Sequence, residues 1–177
     1  MTRIHVCALS QLPRICAETG ASHVLSVVSG GTEVARPSGV DPTNHLLLSF
    51  NDIVSEEAGL SAPGRPHVEQ LLGFIDGWNR KAPMVIHCWA GVSRSTAAAY
   101  IACCALNPTL SEYEIAQHLR QRSPKATPNI RMVGFADEIL QRQGRMTSAI
   151  AAIGRGAYAY EGDIFSLDVP LNTDSQG

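Results

Sequence analysis

The feature that most constrains the fold is a short apolar run that passes directly into a glycine-containing loop and then into small residues. Met84, Val85 and Ile86 form the apolar run, with the composition of a strand covered on both faces of a sheet. The loop covers residues 89–93, and the stretch to residue 106 has the small side chains of a tightly packed helix. Because this is the strand-then-helix unit of parallel sheets, the stretch predicts an α/β fold.

The rest of the chain has hydrophobic patterns that agree with this architecture. Further strands are predicted near 4–9, 24–28 and 45–50, and further helices near 10–20, 66–80, 111–122 and 128–142. Strands alternate with helices in the first half, and helices alone follow the loop. We therefore predict one α/β domain with a mostly parallel central sheet flanked by helices, and the loop between a central strand and a helix.

The size and charge of the chain exclude several classes of protein. Its 177 residues carry 14 Lys and Arg against 16 Asp and Glu, a formal net charge of -2. That balance argues against a nucleic-acid binder or a polybasic membrane-surface protein. No apolar run approaches the roughly 20 residues that span a bilayer, and no signal-peptide pattern begins the chain. We therefore expect no nucleic-acid partner, no membrane insertion and a cytoplasmic location.

The five cysteines and the C-terminal composition bear on compartment and organisation. The cysteines show neither a Cys-x-x-Cys pair nor a zinc-type spacing, which favours a reducing compartment. Beyond Arg155 the chain contains four acids and no base. We expect a domain over residues 1–155 and an acidic tail over 156–177, which is either loosely attached or docked by its apolar residues.

The loop after the central strand has the chemistry of an anion site. A loop that turns from a strand end into a helix directs successive backbone N–H groups inward, with the helix dipole behind them. Gly91 permits the tight turn, and the planar guanidinium of Arg94 can bind two oxygens of an anion. The same groups stabilise a thiolate on Cys88, which lies beneath the predicted anion. A thiolate beneath a phosphorus atom is positioned as a nucleophile.

The residues from His87 through Cys88, Gly91 and Arg94 to Ser95 resemble the His-Cys-x-x-Gly-x-x-Arg-Ser/Thr phosphate-binding loop (P-loop) of cysteine-based protein tyrosine phosphatases. The form with Ala90 and Ser93 is most similar to the dual-specificity branch. The resemblance implies hydrolysis of phosphomonoesters through a phosphocysteine on Cys88, without a metal or another cofactor.

The resemblance also assigns roles to individual residues. The loop residues would bind phosphate; they are Trp89, Ala90, Gly91, Val92, Ser93 and Arg94. The Ser95 hydroxyl would assist breakdown of the phosphocysteine, and His87 would support the loop without acting as a general base.

A general acid is expected some thirty to forty residues before the cysteine, and Asp52 lies 36 residues before Cys88. Asp41 and Asp76 fit this role less well. Asn129 opens the last predicted helix, either as a plain cap or as a brace for the loop, and Arg131 follows it. We place both outside the catalytic set.

The loop side chains favour one group of substrates. Trp89, Ala90, Val92 and Ser93 carry no positive charge. Related phosphoinositide phosphatases, in contrast, commonly carry lysines within this loop. The expected partner is a phosphorylated protein or a small phosphomonoester. A phosphorylated protein would present phosphotyrosine, and a shallow pocket would also admit phosphoserine and phosphothreonine. Trp89 either forms an aromatic wall of the pocket or packs beneath the loop.

Alternative functions share parts of this pattern. A phosphoinositide or small-phosphomonoester phosphatase would use the same residues, and a pseudophosphatase would bind phosphate without turnover. Arsenate reductases and rhodanese-like transferases also place a cysteine in an anion loop. The arsenate reductases need resolving cysteines, whereas Cys103 and Cys104 have the pattern of packed helix residues.

Overall fold

A computed structural model describes residues 1–171 of the chain, and over those residues it contains five strands and six α-helices. The strands are β1 (Thr2–Ala8), β2 (His23–Val28), β3 (His45–Ser49), β4 (Met84–Cys88) and β5 (Phe165–Val169). The helices are α1 (Leu12–Thr19), α2 (Arg65–Asp76), α3 (Arg94–Leu106), α4 (Glu112–Arg122), α5 (Ile130–Ile139) and α6 (Arg145–Ile153). Short 3-10 turns cover Leu9–Gln11 and Pro42–Asn44.

The five strands form one sheet in the order β3-β2-β4-β1-β5. The first four are parallel, and β5 pairs antiparallel with β1 at the edge. Cys88 pairs in register with Ala8 of β1, and His87 pairs with Ser26 of β2. The predicted α/β class with a mostly parallel sheet is therefore confirmed.

Helices cover both faces of the sheet. On one face α1 is the only helix within residues 1–171 that packs against the sheet, and its Leu12 and Ile15 belong to one buried cluster with Val24 and Val85. On the other face α3 lies against the sheet with the other helices around it. All residues of α3 from Ala97 to Cys104 are fully buried. Small side chains let this central helix approach its neighbours closely, which explains its composition.

Two elements were not among the sequence predictions. Helix α6 follows α5 after a turn at Gly144, and β5 lies within the residues predicted as an acidic tail. Phe165, Leu167 and Val169 are buried on one side of β5. Residues 172–177 of the predicted tail lie outside the described residues. Along the part of the chain that the structure covers, no helix is long and apolar enough to cross a membrane.

Candidate active site

The candidate site lies at the carboxyl ends of the central parallel strands. Strand β4 ends at Cys88, and the loop of residues 89–93 leads into α3 at Arg94. Neighbouring strands contribute Ser29, which follows β2, and Phe50, which follows β3. The carboxyl edge of a parallel sheet is the usual position of a ligand in α/β proteins.

The carbonyl groups of the loop are bound to the body of the protein. The Trp89 carbonyl accepts from Leu9 N–H, Ala90 from Gly162 N–H, Val92 from Thr127 N–H, and Ser93 from Asn129 N–H, at 2.8–3.3 Å. The amides of Trp89, Ala90, Val92 and Ser93 donate to no group among residues 1–171. The loop is thus held by its carbonyls, while its N–H groups remain available to an anion.

Gly91 gives the loop its tight curvature. Its φ of +73° lies in the left-handed region, and a Cβ there would be 3.0 Å from the backbone of Cys7. Its N–H donates to the Cys88 Sγ at 3.2 Å, so at least this amide points at the sulfur. A side chain at position 91 would be strained and would collide with β1.

Cys88 is only 2% exposed, and its sulfur contacts one hydroxyl. The Ser95 Oγ lies 3.1 Å from the Cys88 Sγ. Ser95 is in the first turn of α3, so the hydroxyl and the positive end of the helix dipole face the same sulfur. Both favour negative charge on that atom.

One nitrogen of the Arg94 guanidinium is fixed by hydrogen bonds, and another is buried without a partner among residues 1–171. Its Nη1 donates to the Ser29 Oγ at 3.0 Å and to the Phe50 carbonyl at 2.8 Å. Its Nε is buried and has no hydrogen-bond partner among the described residues. A buried N–H without a partner costs about 1–3 kcal/mol, and an oxyanion would satisfy it.

His87 is fully buried and hydrogen-bonded on both ring nitrogens. Its Nε2 lies 2.6 Å from the Ser26 Oγ, and its Nδ1 lies 3.1 Å from the Cys88 carbonyl oxygen. Ser26 also contacts His45 Nε2 at 2.8 Å. Burial lowers the pKa of His87 to about 4, so the ring is neutral near pH 7. With these contacts His87 is placed to support the loop.

Asp52 lies above the loop at the exposed mouth of the site. Its Oδ1 accepts hydrogen bonds of 2.8 Å from the Ser93 Oγ and from the Asn129 Nδ2. Its Oδ2 makes no hydrogen bond with any residue in 1–171. One carboxylate oxygen is therefore held in place while the other is free to meet a substrate.

Asn129 has a larger part in the site than the sequence indicated. Its Nδ2 donates to Asp52 and to the Ile53 carbonyl, and its Oδ1 caps α5 by accepting from the N–H groups of Arg131 and Met132. A Pro-Asn pair before a helix predicts the cap. The contact with Asp52 joins residues 77 positions apart, and no local pattern reports it.

Trp89 points outward, with 63% of its surface exposed. The alternative in which Trp89 packs beneath the loop is therefore wrong. Its ring lies at the rim of the site.

The other residues considered in the sequence analysis make contacts outside the candidate site. The Asp41 carboxylate caps a turn by accepting from Thr43, and Asp76 ends α2. Arg131 donates to the Pro63 carbonyl and pairs with Glu56. Cys103 and Cys104 are fully buried, and burial raises the pKa of Cys104 to about 12. Among residues 1–171 no three His, Cys, Asp or Glu side chains are grouped to hold a metal ion.

Comparison with solved structures identifies the fold. Solved structures with the same fold are dual-specificity and protein tyrosine phosphatases, so the chain has the phosphatase fold that the sequence predicted. Human DUSP28 superposes with a TM-score of 0.60 and 20% identity, over 79% of this chain and 94% of that one. The PTP-2 phosphatase of Cydia pomonella gives a TM-score of 0.59 and 19% identity, over 76% and 84%.

Two further comparisons extend this result. The human tyrosine phosphatase-like serine/threonine/tyrosine-interacting protein superposes with a TM-score of 0.62 and 16% identity, over 79% of this chain and 92% of that one. In sequence the chain is 28% identical over 122 residues to MAP kinase phosphatase with leucine-rich repeats protein 2 of Dictyostelium discoideum. That match covers 69% of this chain and 15% of the relative. No family model matches the chain.

Proposed function

We propose that this chain is a phosphomonoester hydrolase of the protein tyrosine or dual-specificity phosphatase type. The observation that carries the proposal is the Arg94 Nε, which is buried and has no hydrogen-bond partner among the described residues. Arg94 directly follows the loop that begins after Cys88. With the unbonded loop amides it forms a donor set for a tetrahedral dianion.

The first step transfers the phosphoryl group to the enzyme. The Cys88 thiolate attacks phosphorus, the S–P bond forms, and the ester P–O bond breaks. Asp52 gives its proton to the leaving oxygen, and the Oδ2 is the atom placed to do so because Oδ1 is occupied by Ser93 and Asn129. Arg94 and the loop amides stabilise the charge on the transferring group.

The second step returns the enzyme to its starting state. The Asp52 carboxylate takes a proton from a water molecule as that water attacks the phosphocysteine. The P–S bond breaks, inorganic phosphate leaves, and the departing Cys88 thiolate accepts a hydrogen bond from Ser95, whose Oγ lies 3.1 Å away. Cys88 and Asp52 therefore each serve in both half-reactions.

We propose a phosphorylated protein as the substrate. The loop side chains carry no cation besides Arg94, so a polyphosphorylated headgroup gains little extra attraction within the loop. The Trp89 ring is exposed at the rim of the site, where it can contact a phosphotyrosine ring or another flat group of the substrate. We place this activity in the cytoplasm, supported by five cysteines that are all free and buried.

The test is phosphate release from matched phosphotyrosine, phosphothreonine and phosphoinositide substrates in the presence of a chelator. The Cys88→Ser protein serves as the blank. We expect release that survives the chelator, is absent in the variant and is fastest with phosphotyrosine. Preference for the phosphoinositide would assign the small-molecule alternative. No release with any substrate, accompanied by tight binding of the phosphopeptide, would assign a phosphate-binding protein without turnover.

A further inference from the structure

The segment of residues 154–164 runs from the end of α6 to β5 along the side of the P-loop. The Gly162 N–H donates a 2.8 Å hydrogen bond to the Ala90 carbonyl. A Cβ at Gly162 would lie 2.4 Å from the Gly91 carbonyl oxygen, so no residue larger than glycine fits without a shift of the backbone. This segment and the catalytic loop are therefore in direct backbone contact.

The beginning of the segment is anchored as well. The Gly156 N–H donates to the Thr127 Oγ1 at 3.2 Å, and the Ala157 N–H donates to the Pro124 carbonyl at 3.0 Å. The Arg120 Nη2 donates to the Gly154 carbonyl at 2.7 Å. The backbone of 154–164 is thus fixed on both sides of its exposed middle part, which contains Tyr158.

Between the segment and the P-loop lies a cleft of about 240 Å³, which we call the side cleft. Its lining includes Asp52, Val92 and Ser93 from the candidate active site, and Arg155 and Tyr158 from the segment. Small-molecule sites typically enclose about 300–1,000 Å³. The side cleft is smaller than these, and its size suits a single side chain of a larger ligand.

The charge available in the side cleft belongs to Arg155. Arg155 is exposed and makes no ion pair within residues 1–171. The next two acids in sequence are engaged elsewhere, since Asp163 pairs with Lys125 at 2.8 Å and Glu161 accepts from Gln11 at 3.4 Å. Asp52 is the other ionisable group of the cleft, and the proposed mechanism requires it to be protonated when the substrate binds.

We propose that the side cleft is a substrate subsite for an anionic group next to the phosphorylated residue, with Arg155 as its counter-ion and Tyr158 as its outer wall. This inference rests on the proposed function. Asp52 donates to the leaving oxygen, so the substrate chain leaves the P-loop past Asp52 and Ser93, and these two residues line the cleft. The adjacent anion is either a carboxylate or a second phosphate, and the planar guanidinium of Arg155 suits both.

The experiment compares phosphotyrosine peptides that differ only at the neighbouring residue, which is glutamate, phosphothreonine, alanine or lysine. We expect kcat/KM of the wild type to be about 5- to 10-fold higher for the anionic neighbours than for alanine, through KM, as for one charge-assisted contact. Arg155→Ala should remove this preference, and Arg155→Glu should reverse it in favour of lysine. The glutamate and phosphothreonine peptides distinguish the two sources of the anion.

A small aryl phosphate, which occupies the P-loop alone, separates this inference from the proposed function. Arg155→Ala should hydrolyse it at the wild-type rate. The matched control is Lys81→Ala, which removes an exposed cation before the amino end of β4 and should leave the peptide preference unchanged. An unchanged preference in Arg155→Ala, or an equal loss with the aryl phosphate, would overturn the subsite.

If no variant turns over any substrate, the proposed function fails while the subsite remains testable. Binding of the same peptides to Cys88→Ser protein is then measured by fluorescence anisotropy. Weaker binding of the anionic peptides alone after Arg155→Ala supports the subsite, and an equal affinity for all four peptides overturns it.

Discussion

The Asn129 amide donates a 2.8 Å hydrogen bond to the Asp52 carboxylate, across 77 residues of sequence. Ser93 donates to the same carboxylate oxygen, and the Asn129 N–H donates to the Ser93 carbonyl. The proposed general acid, the P-loop and the start of α5 are thus joined in one hydrogen-bonded unit. The position of the acid therefore depends on a residue that does not touch the cysteine.

Asn129→Ser tests this dependence. Serine keeps a good cap for α5 but loses the amide donor to Asp52, so the helix is preserved while the carboxylate loses one support. We expect kcat to fall about 3- to 10-fold with a phenyl phosphate, whose leaving oxygen needs a proton, and to change little with a nitrophenyl phosphate. Thermal unfolding checks that the helix is intact. Equal losses with both esters would indicate a general structural defect.

Asp52→Asn should give the stronger form of the same pattern. Asparagine is isosteric and cannot donate a carboxylic proton, so we expect a loss of about 10²- to 10³-fold with the poor leaving group and a smaller loss with the good one. Steady-state kinetics over a series of aryl phosphates measures the slope against leaving-group pKa. The control is Glu57→Gln, an exposed acid in the same connection. A wild-type slope in Asp52→Asn would remove Asp52 from the acid role.

Site residues close together in the sequence were predictable from the residues themselves. Those contributed by distant parts of the sequence were not. Cys88, Gly91, Arg94 and Ser95 lie within eight consecutive residues, so one strand-loop-helix unit positions all of them. Asp52 was placed only through the family resemblance. The bracing by Asn129 depends on how α5 packs beside the loop, which no short pattern reports.

Helix α6 and strand β5, which were not among the sequence predictions, have weak hydrophobic periodicity. Phe165, Leu167 and Val169 alternate as in a half-buried strand, but the surrounding acids favoured a tail. Met146, Ala149, Ile150 and Ile153 have helical spacing, and they follow Gly144, which is the N-cap residue of α6. Composition outweighed periodicity in the segment of β5.

Ser95→Ala should slow the second half-reaction. The Ser95 Oγ lies 3.1 Å from the sulfur that departs from phosphorus in that step. We expect a decrease in kcat of about 10- to 100-fold and a burst of aryl alcohol equal to the enzyme concentration, because phosphocysteine accumulates. Rapid-quench measurement of the burst provides the check. Ser95→Thr retains the hydroxyl and should show no burst; a burst in both variants would argue against the hydroxyl.

The buried His87 should make stability depend on pH. Its pKa is about 4 in the folded protein and about 6.5 when unfolded, so the unfolded chain binds more protons between these values. The free energy of unfolding therefore falls as pH decreases through this window. The contribution of His87 between pH 7 and pH 5 is about 2 kcal/mol. Urea unfolding at both pH values measures it.

His87→Asn isolates this contribution. The other histidines also have pKa values lowered by burial and act in the same direction, so only the difference between wild type and variant is diagnostic. We expect the variant to lose less stability on acidification than the wild type. His118→Asn, on α4, is the matched control and should have a smaller effect. An identical pH dependence in wild type and His87→Asn would contradict a neutral, buried His87.

Leu167→Ala tests whether β5 is part of the folding unit. Leu167 is 1% exposed, lies in the main hydrophobic core and pairs with Ile4 of β1. Because truncation leaves a cavity beneath the sheet, we expect a loss of about 2–5 kcal/mol in the free energy of unfolding. Ser166→Ala is the control on the same strand and should cost less than about 1 kcal/mol. A loosely attached tail would instead make both variants as stable as the wild type. Since Gly162, in the segment that leads into β5, donates to the Ala90 carbonyl, the destabilised variant should also lose aryl phosphate hydrolysis at lower temperature than the wild type.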